Sequence, residues 1–110
     1  MTDTKEAQQY YGRLLGCCLD LADIATINGA TKVHYFMESD PDGDSGAAVF
    51  EHADGSVFVV EEWQDYSGHG CQCGADVTGP YPNLDAAIRF GLTKTARRTL
   101  GVSLPEDVNN

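Results

Sequence analysis

Ser56-Val57-Phe58-Val59-Val60-Glu61-Glu62-Trp63-Gln64 is the stretch that decides the fold. Its β-branched and aromatic residues suit a pleated, extended backbone. Strand side chains alternate between faces, so Val57 and Val59 point one way and Phe58 and Val60 the other. Apolar residues on both faces predict a central strand covered from both sides near its middle. Immediately upstream, Asp54-Gly55 predicts a tight hairpin turn, and residues 47–52 a short preceding strand. Before it, Asp40-Pro41-Asp42-Gly43-Asp44-Ser45-Gly46 reads as a loop. Residues 32–38 alternate again, with Val33, Tyr35 and Met37 on one face of another strand.

Helical periodicity brackets these strands. Tyr10, Leu14, Cys17, Leu21 and Ile24 recur at alternating spacings of four and three. Ala7, Tyr11, Leu15, Cys18, Ala22 and Ala25 widen that stripe, and Arg13, Asp20 and Asp23 fall on the opposite face. Asp3 with Glu6 predicts the start of this helix and Asn28-Gly29 its stop. Within the stripe, Cys17 and Cys18 read as packing thiols, because adjacent cysteines bridge only under strain. Asn83 caps a later helix in which Leu84, Ile88, Leu92, Ala96 and Leu100 recur every fourth residue; Gly91 and Thr93 leave open a split into two short helices, and Gly101 ends it. Residues 65–83, with Gly68, Gly70, Gly74, Gly79, Pro80 and Pro82, read as a long irregular loop. The expectation is one α+β domain over residues 1–104 and a flexible tail over 105–110. Its order is α-β-β-β-α: an N-terminal helix, a three-stranded antiparallel sheet, a long Gly/Cys loop and a C-terminal helix.

Charge gives the strongest functional signal. Between Val33 and Ile88 there is no lysine or arginine, yet Glu38, Asp40, Asp42, Asp44, Glu51, Asp54, Glu61, Glu62, Asp65, Asp76 and Asp85 all lie there. The chain carries a formal net charge of −10. That balance argues against direct binding to nucleic acid and to anionic membranes, both of which need exposed Lys and Arg. It favours a basic protein partner. The candidate docking residues are Glu38, Asp40, Asp42, Asp44, Glu61, Glu62, Trp63, Asp65 and Tyr66, where aromatics stand among carboxylates. Arg89, Lys94, Arg97 and Arg98 are concentrated late in the chain, which leaves head-to-tail homo-oligomers open. The N-terminus has no basic region followed by an apolar run, and no segment is apolar enough to span a bilayer. The expected setting is therefore cytoplasmic, where cysteines persist as thiols or metal ligands.

Two further motifs carry chemistry. In Gly68-His69-Gly70-Cys71-Gln72-Cys73 an extended backbone places His69, Cys71 and Cys73 on one side. That set suits zinc, with His52, Asp65, Cys17 or Cys18 as a fourth ligand. Buried packing thiols are the alternative, and a Cys–His thiol enzyme is a third, disfavoured because nearby carboxylates oppose a thiolate. Asp40, Asp42 and Asp44, with Glu51 eleven residues after Asp40, resemble an EF-hand ladder. Ser45 replaces the required glycine and strands flank the loop, so a solvated turn is the simpler reading.

The hairpin turn Asp54-Gly55, the loop Gly68-His69-Gly70-Cys71-Gln72-Cys73 and the helix core Leu84-Asp85-Ala86-Ala87-Ile88 together resemble a pattern in small uncharacterised proteins of bacteriophages and their actinobacterial hosts. The resemblance covers Val57 to Leu92, about a third of the chain, and excludes the first helix and the aspartate loop. It implies a small accessory protein that binds a host factor. Combined with the acidic run, it gives a functional expectation. The chain would be a non-enzymatic inhibitor of a host defence or nucleic-acid-handling protein, its carboxylates mimicking a phosphate backbone. A small zinc-binding domain and a thiol enzyme stand as alternatives.

Overall fold

A computed structural model describes residues 4–16, 18–39, 45–65 and 72–105. Four strands form one antiparallel sheet in the order β1 (Lys32–Met37), β2 (Gly46–Glu51), β3 (Val57–Asp65) and β4 (Gln72–Tyr81). Helices α1 (Thr4–Gly12) and α2 (Leu21–Asn28) cover one face. The other face is covered by α3 (Leu84–Ala86), its continuation as a π-helical turn (Ala87–Gly91), and α4 (Lys94–Leu100). No helix among the described residues is long and apolar enough to cross a membrane.

β3 is central, paired with β2 and β4. Val57 and Val59 join Ala47 and Val49 beneath Ala87, Leu92 and Ala96. Val60 joins Ala48 and Phe50 against Ala7, Tyr10, Tyr11 and Ile27. The α1 side is aromatic: Tyr11 meets Tyr10 edge-on at 5.1 Å, Phe36 at 5.7 Å and Phe50 at 6.0 Å between centroids.

The α+β class stands, but the expected three strands and two helices are corrected to four of each among the described residues. Residues 72–81 form β4 rather than part of a loop. Ala75 and Val77 pack inward while Asp76 and Thr78 are exposed, the period of a half-buried strand. The glycines and proline that suggested a loop have local roles. Gly74 lies opposite Trp63, where a Cβ would come within 2.4 Å of the indole nitrogen. Gly79, at φ +130°, and Pro80 sit where β4 has one more residue than β3 between the pairs Val57–Tyr81 and Val59–Thr78. A bulge tolerates proline because its missing N–H has no ladder partner there.

The expected single N-terminal helix is likewise two. Helical winding stops at Gly12, and Gly16, in the left-handed region at φ +83°, redirects the chain before α2 begins. Asp20 then caps α2 through a reciprocal box: Asp23 N donates to Asp20 Oδ1 at 2.8 Å, and Asp20 N donates to Asp23 Oδ2 at 3.3 Å. The two helices are tied by Gln8, whose Nε2 donates to the carbonyls of Ile27 at 3.0 Å and Ala30 at 3.1 Å. His52 Nε2 donates to Thr26 O at 2.7 Å, fixing α2 to the end of β2. At the other end of the chain the single expected helix is also divided, in the stretch from Gly91 to Thr93. Asn83 accepts from Ala86 N at 2.8 Å, Thr93 caps α4, and Gly101 closes it in the left-handed region.

Tyr11 is fully buried, and its hydroxyl has no hydrogen-bond partner among the described residues. Burying an unpaired hydroxyl is unfavourable. Tyr11→Phe is therefore expected to raise folding stability by about 1 kcal/mol, read as a higher denaturant midpoint at unchanged slope.

Candidate functional site: a carboxylate-lined cavity beside Trp63

The alternation of β3 continues beyond its apolar half and sends consecutive acids to different layers. Glu61 follows Val57 and Val59 toward α4. There it accepts from Thr93 N at 2.8 Å and from Thr93 Oγ1 at 2.9 Å. Thr93 Oγ1 in turn accepts from Ala96 N at 3.1 Å. Glu62 follows Val60 toward α1 and is only 2 % exposed. Tyr10 donates its hydroxyl proton to Glu62 Oε1, and Ser39 N donates to the same oxygen at 3.2 Å. Ser39 Oγ lies 3.1 Å from the Tyr10 hydroxyl. Burial, reinforced by the bond to Glu62, pushes the Tyr10 phenol up to about 12. Tyr11, nearby, is raised well above its ordinary range by burial and by the charges of Glu62, Tyr10 and Glu38.

A cavity of about 270 Å³ opens here, lined by Glu61, Glu62, Trp63, Asp76, Thr93 and Thr95 among others. Trp63 is 47 % exposed. Asp76 is exposed and sits directly across the β3–β4 ladder from Glu61. Like charges opposite one another in a sheet repel, so this placement disfavours the sheet unless something compensates. The donors reaching Glu61 are the neutral amide and hydroxyl of Thr93, both on Oε1, and they leave its charge uncancelled. A guanidinium or ammonium entering the cavity would find two carboxylates to accept its N–H groups and an indole face beside them. Among the described residues no group of three His, Cys, Asp or Glu side chains is arranged to hold a metal ion.

The structure thus brings together Glu61, Glu62 and Trp63 of the expected docking residues and adds Asp76, Thr93 and Thr95. Glu62 serves the interior rather than the outer surface. Glu38 is exposed just beyond β1 and does not line the cavity. Asp65 lies in β3 opposite Gln72, and its side chain is outside the described part. Asp40, Asp42, Asp44 and Tyr66 lie outside the described residues, as do His69 and Cys71 of the expected zinc set. Cys73 lies in β4 opposite Gln64, again without a described side chain. Glu51, the last rung of the EF-hand-like ladder, is held by His34 Nε2 at 2.8 Å across the β1–β2 pair. His34 reaches it from a bulge, as the extra residue between the pairs Val33–Phe50 and Tyr35–Val49. Cys18 packs against the α1-side core, and burial followed by the Glu62 charge pushes its thiol up, away from the reactive thiolate.

Asp76, one of the acids of the base-free run, is absent from the expected docking residues because residues 65–83 read as a loop. The signal was Ala75-Asp76-Val77-Thr78, a short apolar–polar alternation. Compared with known protein families, curated proteins and solved structures, the chain gives no match.

Proposed function

We propose that this chain is a small acidic, non-enzymatic binding protein that docks on a basic protein, seating one of the partner's arginine or lysine side chains between Glu61 and Asp76 against Trp63. The observation that carries this reading is the convergence of carboxylates and the chain's one tryptophan on a cavity with no Lys or Arg in its lining, in a chain of net charge −10. A guanidinium placed there makes charge-assisted hydrogen bonds, and a desolvated cation–π contact adds about 1–2 kcal/mol. The wider negative field of the base-free run speeds encounter with a basic surface and discourages anionic competitors. Together with the resemblance to phage-type accessory proteins, the partner class is a host defence or nucleic-acid-handling protein. Its phosphate groove would be occupied, and so inhibited, by these carboxylates.

Calorimetric titration with an arginine-rich peptide as a model of such a groove tests this. Affinity is expected to fall steeply from low to high salt, because the attraction is between exposed charges. Trp63→Ala is expected to weaken binding by about tenfold, the equivalent of the lost cation–π contact. An affinity that ignores salt, or a Trp63→Ala protein that binds as tightly as the parent, contradicts the proposal.

A further inference from the structure

We infer that this protein self-associates head to tail, the Phe90 side chain of one copy seating in the cavity at the α1–α2 junction of the next. Phe90 is 78 % exposed and projects from the π-helical turn, in the layer that packs on Val57 and Val59. On the opposite layer an open cavity of about 770 Å³ lies where α1 gives way to α2, lined by Leu15, Cys18, Leu19 and Leu21. Leu21 is 75 % exposed and Leu15 45 %. Knob and hollow sit on opposite faces of the sheet, so they cannot meet within one molecule, whereas a second copy brings them together.

Charge selects the same pairing. Asp20 and Asp23 rim the hollow, and the donors that reach them are backbone N–H groups of their own capping box. Phe90 follows Arg89, and Lys94 and Arg98 are exposed on the adjoining α4. An aromatic anchor entering an apolar hollow within a ring of opposite charge is the arrangement that concentrates binding energy in interfaces. Because the knob and the hollow lie on opposite faces of the sheet, one partner cannot engage both, so the contact is heterologous and builds open chains or closed rings, not a twofold dimer.

The salt response has the opposite sign to that of partner docking. Two copies each carry −10, and their long-range repulsion is screened beyond about 10 Å at 0.1 M salt. The apolar contact and its short-range charge pairs are screened less, so added salt strengthens self-association. Neither Phe90 nor Leu21 lines the Glu61–Asp76 cavity, so failure of this inference leaves the proposed docking function untouched, and the reverse.

Sedimentation velocity over a concentration series, in reducing buffer, tests it. The parent protein is expected to gain mass with concentration, more so at higher salt. Phe90→Ser and Leu21→Ser, both at exposed positions, are each expected to raise the dissociation constant by about 30-fold or more, the effect of losing an interface anchor. Mixed in equal amounts, the two variants retain one intact knob and one intact hollow between them, and should form a one-to-one dimer that grows no further. A parent that stays monomeric at every concentration overturns the inference. So does a Phe90→Ser protein that associates like the parent, or a mixture that remains monomeric.

Discussion

Glu62→Ala is expected to remove about 3 kcal/mol of folding stability, from the buried acceptor it removes and the cavity it opens. Glu62 is buried, and its Oε1 receives both the Tyr10 hydroxyl and Ser39 N. Truncation takes away the acceptor while leaving both donors inside. For a domain of this size about 3 kcal/mol is a large share of a total near 5–15 kcal/mol. Glu62→Gln keeps the volume and one acceptor oxygen, so its expected cost is smaller, about 1 kcal/mol.

The Glu62 carboxylate also acts through pH. In the folded protein Tyr10 is raised from 10.0 to about 12, first by burial and next by its bond to Glu62. A group whose folded value is raised contributes stability that is fully present below its unfolded value and lost as pH climbs through the folded one. The parent should therefore lose stability progressively between pH 10 and about 12. Removing the anionic acceptor in Glu62→Gln lowers the Tyr10 value, so tyrosinate absorbance should appear at lower pH in the native protein. The alkaline loss of stability should be shallower. A parent and a Glu62→Gln protein with superimposable tyrosinate titrations would show that the carboxylate does not act on Tyr10.

Gly46→Val has a still larger expected effect. Gly46 lies in β2 opposite Glu62, fully buried, where the chain leaving β1 passes close by. A Cβ there would lie 2.6 Å from Ser39 N, 2.7 Å from Met37 O and 2.7 Å from Glu62 Oε1. Two of those atoms are backbone, and the third belongs to the carboxylate that organises Tyr10. None can retreat without dismantling either the β1–β2 pairing or the buried hydrogen bonds. The expected cost is about 4 kcal/mol or more, at the extreme of single substitutions. Thermal denaturation should show a protein largely unfolded at ordinary temperature. Gly12→Ala is the matched control: nothing lies within 4 Å of the added Cβ at the end of α1, so its effect should stay within about 0.5 kcal/mol. A folded Gly46→Val protein with a melting temperature like that of the control would contradict the close packing described for β1, β2 and Glu62.

What was legible in the sequence was whatever local chemistry alone decides. Val57-Phe58-Val59-Val60 announced a strand covered on both faces, because two apolar faces need two layers, and α1–α2 and α3–α4 supply them. Asn83 and Gly101 act where a side chain, or the lack of one, predicted. What was not legible depends on partners distant in sequence. Gly74 looked like a loop residue because nothing local reveals that Trp63 will cover it. Glu61 and Glu62 looked equivalent; only the pleat, read together with Tyr10 on one side and Thr93 on the other, separates an interior acceptor from a cavity wall. Gly16 and the Asp20–Asp23 box were visible, but a continuous apolar stripe masked them, since a helix break that keeps both pieces on one face leaves periodicity nearly intact.

The proposed docking of a cation requires carboxylates at the Trp63 cavity and not net charge alone. Asp76→Asn and Asp85→Asn change the charge of the chain equally, but only Asp76 lines the cavity, while Asp85 lies on α3 in an exposed i,i+4 pair with Arg89 whose loss has little effect. Titration of both variants with the arginine-rich peptide, followed by Trp63 fluorescence, compares them directly. The expected result is a loss of affinity of about tenfold or more for Asp76→Asn, from one charge-assisted hydrogen bond, with Asp85→Asn close to the parent. Equal losses in the two variants, or a Trp63 signal that never changes on binding, would contradict it.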